Sequence, residues 1–403
     1  MSGGAAGPLD PDGTVAVVGA SLAGLRAAQG LRRGGFRGPL ILVGAEHHLP
    51  YDRPPLSKQV LSGKWAPEQT GLVDQAVVAD LGIEARLGRR AESLDAAARR
   101  LELDDGSVVN ADAVVVATGA TPRHPFAEAG VLVLRTLEDS AALRDSVAEG
   151  VRLVVMGAGF IGSEVAATCA GLGCTVTVVE MLPVPMAPAL GEVIGAALGA
   201  LHARNGVELL TDTAVASVER ADNGFVVTTA GGGTIEADVV AAGIGVVPEV
   251  SWLEGSGLTL DNGVVCDESL FAADGVVAAG DLARWPFGGQ LTRIEHWQMA
   301  ADMGDSVASR LLAGRAAAAP FVPVPYFWSD QYGEKIQMLG RPGPDDEVVV
   351  VDGSLEERFV ALYRRGNGLS AVAALTRARK LMAYRPLLTA GASFDEAFAL
   401  SND

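Results

Sequence analysis

Apolar residues occur in short runs along this chain, and two of the runs lead into the same arrangement of glycines. Residues 14–18 precede Gly19-Ala-Ser21-Leu-Ala-Gly24, and residues 153–156 precede Gly157-Ala-Gly159-Phe-Ile-Gly162. After each turn the apolar spacing becomes helical, over 22–33 and 160–171. A strand, a glycine turn and a helix form the unit in which backbone N–H groups meet a pyrophosphate. The pattern therefore predicts two bound dinucleotides, and their usual purpose is to pass a hydride between them.

An acidic residue follows the second glycine turn at the spacing of a nicotinamide-dinucleotide site. The apolar run 175–179 ends on Glu180, 23 residues after Gly157. A carboxylate at this place accepts hydrogen bonds from ribose hydroxyls and repels a 2′-phosphate. The spacing predicts a preference for NADH over NADPH. The alternative is a solvent-exposed glutamate at the end of a strand.

The composition changes near Phe321, where aromatic and proline residues gather. Strands are predicted in quick succession after this point, followed by a short helix, over 335–340, 347–351, 358–364 and 369–375. These elements predict a separate α+β C-terminal domain. The predicted fold class is α/β, with two Rossmann-like dinucleotide-binding domains and this third domain.

The net charge of the chain is −18, which argues against nucleic acid as a partner. No apolar stretch approaches the length of a membrane span, and residues 1–13 lack the apolar core of a signal peptide, so a cytoplasmic location is expected. Residues 358–394 contain seven basic residues and no acidic one. This stretch is either a basic face that balances an acidic body or a docking surface for an acidic protein.

The cysteine and histidine residues predict neither a disulfide framework nor a metal site. Cys169 and Cys174 have the spacing of a redox pair, but they lie on the nicotinamide side, so packing is the expected role. The five histidines show no metal-ligand spacing: His47, His48, His124, His202 and His296.

Several further segments make a resemblance specific: Pro50-Tyr-Asp-Arg-Pro-Pro-Leu-Ser-Lys58, Ala117-Thr-Gly119, Arg135-Thr-Leu-Glu-Asp139, Gly243-Ile-Gly-Val-Val-Pro248, Ala279-Gly-Asp281, Arg293-Ile-Glu-His-Trp297 and Trp328-Ser-Asp-Gln331. Together with the two glycine turns, they resemble the FAD-dependent NADH:ferredoxin reductases that serve bacterial Rieske dioxygenases and cytochrome P450 systems. The resemblance runs from about residue 14 to 340 and more weakly to the C-terminus. The PYDRPPLSK and WSDQ segments are its most specific parts.

The resemblance implies a glutathione-reductase-like fold in three domains. The FAD domain would be discontinuous, over 14–118 and 244–319. The NADH domain would cover 119–243, and the C-terminal domain 320–403. The oligomeric state is expected to be a monomer or a weak dimer.

The resemblance also implies the residues that contact the cofactors. They are Gly19, Ser21, Leu22, Ala23, Gly24, Glu46, Arg53, Lys58, Ala91, Ala117, Thr118, Gly119, Arg135, Gly157, Gly159, Phe160, Ile161, Gly162, Glu164, Glu180, Gly243, Ile244, Gly245, Gly280, Asp281, Glu295, His296, Trp297 and Trp328. Gly19, Ala23 and Gly24 would lie against the FAD pyrophosphate, Glu46 near the adenosine ribose, and Trp328 near the flavin ring. Ser21 departs from the pattern, because it places a side chain where backbone must approach phosphate closely.

Lys58 and Glu164 are the residues that the resemblance places beside the reacting rings. Lys58 would stabilise negative charge on reduced flavin, and Glu164 would balance the lysine and help to orient the carboxamide. The alternative is an ordinary interdomain salt bridge without a catalytic role.

The absence of cysteine between Gly19 and Thr118 limits the possible reactions of this chain. Disulfide reductases and flavin peroxidases of this fold keep their redox sulfur there. The electrons are therefore expected to leave the flavin directly for a small ferredoxin, of [2Fe–2S] type or related. Two alternatives stay open: a rubredoxin or dehydroascorbate-radical reductase, and a redox-sensing flavoprotein like the apoptosis-inducing factors.

Overall fold

A computed structural model of the chain describes residues 7–401; residues 1–6, which belong to the stretch 1–13 that is not expected to be a signal peptide, and residues 402–403 lie outside the described part. The strands are β1 Val15–Val18, β2 Leu40–Gly44, β3 Ile83–Leu87, β4 Ala91–Asp95, β5 Arg100–Leu103, β6 Val108–Asn110, β7 Ala113–Val116, β8 Ala120–Pro122, β9 Leu132–Val133, β10 Arg152–Met156, β11 Thr175–Val179, β12 Glu208–Leu210, β13 Val215–Ala221, β14 Gly224–Thr229, β15 Thr234–Ala237, β16 Val239–Ala242, β17 Val246–Pro248, β18 Val264–Val265, β19 Phe271–Ala273, β20 Val276–Ala278, β21 Ala283–Phe287, β22 Gln290–Thr292, β23 Tyr326–Gln331, β24 Glu334–Gly340, β25 Glu347–Gly353, β26 Phe359–Arg365 and β27 Gly368–Leu375. The α-helices are α1 Leu22–Arg33, α2 Gln75–Asp80, α3 Leu137–Ser146, α4 Phe160–Gly171, α5 Ala187–Arg204, α6 Trp297–Ala313, α7 Ala378–Ala383, α8 Arg385–Ala390 and α9 Phe394–Leu400.

The chain divides into two compact units, and each contains one of the glycine turns. Unit 1 consists of the described residues through Asp52, Thr70–Thr121 and Val247–Pro323. Unit 2 consists of Arg53–Gln69, Pro122–Val246 and the described residues from Val324 onward. The finer domain boundaries given above remain predictions.

Unit 1 is built on a six-stranded sheet in the order β3-β2-β1-β7-β20-β19, parallel except for β19. Every residue of β1 and β7 is buried, as expected for the uninterrupted apolar runs of a parallel sheet. Helices α1 and α6 pack closely, because a Cβ at Gly304 would lie 2.4 Å from the Ala23 carbonyl oxygen. Because β1, β2, β7 and β20 are parallel, their carboxyl ends lie at the same edge of the sheet.

Unit 2 repeats this plan with a parallel sheet in the order β12-β11-β10-β16-β9. Strand β10 lies between β11 and β16, and its glycine turn leads into α4. The three-stranded antiparallel sheet β13-β14-β15 lies in the same unit. These elements confirm the second Rossmann-like fold that the sequence predicts.

The C-terminal part of unit 2 forms an antiparallel sheet in the order β23-β24-β27-β26-β25 with the short helices α7, α8 and α9. The α+β prediction is confirmed, with two differences. The aromatic segment forms strand β23 because its alternate residues Phe327, Ser329 and Gln331 are buried. The single predicted helix is three helices, which Tyr384 and the left-handed Gly391 separate. No helix within 7–401 is long and apolar enough to cross a membrane.

Candidate active site

The first glycine turn is fixed by close contacts that only glycine can make. Gly19 has a φ of 119°, and a Cβ there would lie 2.1 Å from the Ala117 carbonyl oxygen. A Cβ at Gly24 would lie 2.0 Å from the Gly19 carbonyl oxygen. Ser21 is the N-cap of α1, but its side chain makes no capping hydrogen bond. The first N–H groups of α1 are therefore not satisfied by that hydroxyl, as an anion-binding helix end requires.

The second turn shares the two constrained glycines and adds a third that the protein itself does not need. A Cβ at Gly157 would lie 2.6 Å from the Gly243 carbonyl oxygen, and one at Gly162 2.0 Å from the Gly157 carbonyl oxygen. Gly159 has an ordinary φ of −73°, and its nearest neighbour would be 3.8 Å away. The space beside Gly159 is therefore open at the N-terminus of α4, and helix N-termini are the kind of place where proteins bind anions.

The acidic residues that follow the two turns are held differently. Glu180 is buried; its Oε2 accepts from the Ala158 N–H at 2.7 Å and its Oε1 from the Leu182 N–H at 2.8 Å. Each carboxylate oxygen keeps a further acceptor site. Glu46, beyond β2, accepts from the Tyr51 hydroxyl at 2.5 Å.

Most of the predicted FAD residues of unit 1 lie around one edge of its sheet. Thr118, beyond β7, donates to the Glu249 carbonyl at 2.7 Å, and Gly119 follows it. Gly280, beyond β20, has a φ of 85°, and a Cβ there would lie 3.2 Å from that of Ala23, next to Leu22 at the start of α1. Asp281 continues this turn. Ala91 instead opens β4 in the antiparallel sheet β4-β5-β6.

The start of α6 and the two residues before it supply three more of these residues. Trp297 donates from its indole N–H to Asp52 Oδ1 at 2.5 Å. Burial lowers the pKa of His296 to about 4, against the opposing influence of the Asp281 charge. Glu295 is exposed and pairs with Arg293.

Unit 2 brings the remaining predicted residues near α3 and α4. Arg53 donates to the Arg135 carbonyl at 2.5 Å. Phe160 packs on Phe327 with ring centroids 4.6 Å apart, and Trp328 stacks on Tyr326 at 6.0 Å. Three others are Ile161, at the start of α4, and Ile244 and Gly245, which follow β16; both isoleucines are exposed, and Gly245 has a φ of 91°.

Lys58 and Glu164 form a buried ion pair inside unit 2. The Lys58 Nζ lies 2.7 Å from Glu164 Oε2, and their side chains are 12% and 4% exposed. The same Oε2 accepts from the Ser57 hydroxyl at 2.5 Å, while Oε1 accepts from the Ser329 hydroxyl at 2.7 Å and the Asp330 N–H at 3.2 Å. Burying a carboxylate is costly unless it is paired and hydrogen-bonded, and this one has both.

Ser57 and Ser329 were missed by sequence reasoning. Both lie in the segments that carry the resemblance, PYDRPPLSK and WSDQ, but nothing in the sequence shows that these segments meet on one carboxylate. The one feature of the sequence that could have indicated these residues is that each of the two segments contains a serine.

The cysteines take no part in this arrangement. Cys169, Cys174 and Cys266 are buried and unpaired, and burial raises the pKa of Cys169 and of Cys266 to about 12. A raised pKa keeps a thiol protonated, and a protonated thiol is a poor nucleophile. Over residues 7–401, no group of three or more His, Cys, Asp and Glu side chains could hold a metal ion.

Comparisons with known proteins agree with this geometry. Residues 13–304 match the family model "Pyridine nucleotide-disulphide oxidoreductase", and residues 326–402 match "Reductase C-terminal". The chain is 37% identical over 388 residues to the anthranilate 1,2-dioxygenase system ferredoxin--NAD(+) reductase component of Burkholderia cepacia, covering 94% of this chain and 95% of that protein. It is 38% identical to rhodocoxin reductase of Rhodococcus erythropolis, covering 93% and 89% of the two chains.

A solved structure resembles the whole chain. It is the reductase in the crystal structure of the covalent putidaredoxin reductase–putidaredoxin complex, with a TM-score of 0.88, 31% identity, and coverage of 95% of this chain and 94% of that one. Both glycine turns lie inside the first matched region, and β23 opens the second. The chain belongs to the pyridine nucleotide-disulphide oxidoreductase family, whose ferredoxin reductases use FAD and NAD(H).

Proposed function

We propose that this chain is an NADH-dependent flavoprotein oxidoreductase that passes electrons from NADH through FAD to a small ferredoxin, which in turn feeds an oxygenase. One observation carries the proposal: each compact unit has its own glycine turn at the end of a parallel sheet, and no cysteine lies between Gly19 and Thr118 to relay electrons through sulfur. The reductase relatives support the ferredoxin acceptor.

The residues present fit both cofactors. Unit 1 offers FAD the uncapped start of α1 and the edge that carries Glu46, Thr118, Gly280 and Asp281. Unit 2 offers NADH the space beside Gly159 and the Glu180 carboxylate. When bound, FAD accepts a hydride and can release the two electrons singly.

Lys58 supplies a positive charge whose position is fixed by Glu164. One N–H of the ammonium group points to Glu164 Oε2, and the Ser57 hydroxyl lies 3.4 Å from Nζ. Among residues 7–401 no further acceptor binds Nζ, so an N–H remains for the flavin. An ammonium group held this way stabilises negative charge that develops during flavin reduction.

The test is reduction of the purified flavoprotein by NADH in an anaerobic stopped-flow experiment. Lys58→Met should slow the loss of flavin absorbance about 100-fold, as expected when a positioned donor to developing charge is removed. The exposed Lys64 lies in the same part of unit 2, Arg53–Gln69, so Lys64→Met is the matched control and its flavin should be reduced at the wild-type rate. An unaltered rate in Lys58→Met contradicts the role of Lys58, and a protein that takes up no FAD contradicts the function.

We further propose that the ferredoxin is an acidic [2Fe–2S] protein and that it docks on residues 358–394, with the reductase a monomer or weak dimer. The contacts of this stretch narrow the candidates for docking. Five of its seven basic residues pair with acids of neighbouring segments: Arg358 with Glu334, Arg364 with Glu347, Arg365 with Asp346, and Arg377 and Lys380 with Asp352. Over residues 7–401, Arg379 and Arg385 have no acidic partner.

Charge reversal at these two arginines is therefore the sharper test of docking. Arg379→Glu with Arg385→Glu should raise the KM for ferredoxin about tenfold and weaken its dependence on salt, with NADH kinetics unchanged. Arg364→Glu is the comparison, because that arginine has an acidic neighbour, the Glu347 carboxylate at 3.9 Å, whereas Arg379 and Arg385 have none among residues 7–401. If the KM for ferredoxin of every variant equals that of the wild type, the ferredoxin does not dock on residues 358–394. Sedimentation of the purified protein tests the oligomeric state.

A further inference from the structure

Glu164 receives hydrogen bonds from two segments that are far apart in the sequence. Ser57 and Lys58 approach Oε2 from the proline-rich segment, while Ser329 and the Asp330 N–H approach Oε1 from β23. Ser329 is fully buried, so its hydroxyl has no solvent alternative. The C-terminal domain thus contacts the carboxylate that holds Lys58.

The direction of the Ser329 hydrogen bond follows from its neighbours. Glu164 is ion-paired with Lys58 and therefore accepts, so the single hydroxyl proton of Ser329 must point to Oε1. The Ser329 oxygen in turn accepts from the Gln331 side-chain amide at 3.2 Å. Gln331 is also buried. The hydroxyl is thereby fixed from both sides.

The terminal torsion of a glutamate has broad, roughly twofold preferences, so contacts rather than rotamer energy decide how the carboxylate is turned. Without the Ser329 hydroxyl, the sole remaining donor to Oε1 among residues 7–401 would be the Asp330 N–H, at the longer distance of 3.2 Å. Rotation of the carboxylate would then move Oε2 away from the Lys58 ammonium group.

We propose that Ser329 is a positioning residue for flavin reduction: it locks the Glu164 carboxylate so that Lys58 is held in one place. This inference rests on the proposed function, because it assigns Lys58 a role at the flavin. It makes the C-terminal domain part of the redox machinery.

The variants that test it are Ser329→Ala, which removes the donor, and Ser329→Cys, which keeps a weak S–H donor of similar size. The matched control is Ser370→Ala. Ser370 lies on β27 of the same sheet and donates at 2.6 Å to another buried carboxylate, that of Asp346. This control loses the same kind of bond without touching Glu164.

Two measurements separate positioning from a general loss of structure. In stopped-flow reduction by NADH, Ser329→Ala should lower the limiting rate about tenfold and change the apparent Kd for NADH by less than about twofold, with Ser329→Cys in between. In hydrogen–deuterium exchange of the holoprotein, peptides over 53–63 should exchange about tenfold faster in Ser329→Ala than in the wild type. Ser370→Ala should match the wild type in both.

The inference is overturned if Ser329→Ala is reduced at the wild-type rate with unchanged exchange over 53–63, or if Ser370→Ala shows the same losses. If Ser329→Ala fails to fold, a wild-type rate in Ser329→Cys at reduced stability also overturns it. A wild-type protein that NADH does not reduce is a separate result, because it contradicts the proposed function itself.

Discussion

The two glycine turns have the same backbone but offer a ligand different surroundings. In both, the first and last glycines are forced by carbonyl oxygens that a Cβ would strike, at Gly19 and Gly24 in unit 1 and at Gly157 and Gly162 in unit 2. The middle position is a serine in one turn and a glycine in the other. The acid after the second turn binds the turn itself, whereas Glu46 binds the tyrosine hydroxyl of Tyr51.

The difference separates what the fold requires from what the ligand requires. The outer glycines are needed for the strand, turn and helix to pack, with or without a dinucleotide. Gly159 meets no close neighbour within the protein, and Ser21 makes no capping bond. These middle positions are where substitution can change cofactor binding while the fold is kept.

The largest effect is expected at the last glycine of each turn. Gly162→Ala and Gly24→Ala would each place a methyl group about 2.0 Å from a carbonyl oxygen, so each should cost about 3 kcal/mol of unfolding free energy. Thermal and urea unfolding of the purified proteins measure this loss. Gly159→Ala is the control, because its methyl group has room. If it destabilises as much as Gly162→Ala, the separation between fold and ligand positions is wrong.

How far the sequence predicts this molecule can be judged at the same turns. Strand, turn and helix were predictable because period and glycine placement are local properties, and Leu22–Arg33 and Phe160–Gly171 lie where the spacing puts them. The pairing of Arg358 with Glu334, or of Ser329 with Glu164, joins segments that are far apart in the sequence and meet only after folding. The sequence of residues 358–394 shows seven basic residues and no acidic one, but in the structure five of the seven pair with acids from other segments. The net positive charge of this surface is therefore smaller than the sequence of the stretch indicates.

The second-largest effect is expected from substituting the acids that follow the two glycine turns, Glu180 and Glu46. In Glu180→Gln, the amide would turn a donor toward one of the two backbone N–H groups that now bind the carboxylate, and the ribose hydroxyls of NADH would lose a charged acceptor worth about 2 kcal/mol of binding free energy. The Kd for NADH should rise about 30-fold. In Glu46→Gln the Tyr51 hydroxyl can rotate and accept instead, so FAD content should change little. Titration with NADH measures the first effect, and the flavin-to-protein absorbance ratio measures the second. If both substitutions weaken the binding of their cofactor equally, the two acids do not differ in the way described.

Exchanging the middle residues gives a smaller effect. Gly159→Ser should raise the KM for NADH about tenfold, because a side chain enters the space kept for the pyrophosphate. Ser21→Gly should leave the Kd for FAD within about twofold, because the Ser21 side chain makes no capping hydrogen bond that the substitution would remove. Steady-state kinetics and FAD reconstitution of the apoprotein supply these numbers. A weaker NADH interaction in Ser21→Gly, or none in Gly159→Ser, would mean that the turns are assigned to the wrong cofactors.

The smallest effect concerns His202, a buried histidine of unit 2 that lies outside the glycine turns. Burial lowers the pKa of His202 in unit 2 to about 4, as it does for His296 in unit 1. His202 is fully buried, and its Nδ1 lies 2.6 Å from the Tyr332 hydroxyl. Because the unfolded histidine titrates near pH 6.5, the unfolded chain binds the proton more tightly, and the stabilisation is complete above about pH 6.5 and lost as the pH falls toward 4.

Between pH 6.5 and 5.5 the wild type should therefore lose about 1 kcal/mol more unfolding free energy than His202→Gln, which cannot titrate. Urea unfolding at the two pH values gives this difference, whatever the stability of the variant at neutral pH. Tyr332→Phe is the control, because it removes the hydroxyl but keeps the titrating ring buried, so its pH dependence should remain that of the wild type. Parallel losses in His202→Gln and the wild type would show that the histidine does not sense pH, and the acid sensitivity of unit 2 would have to come from its carboxylates.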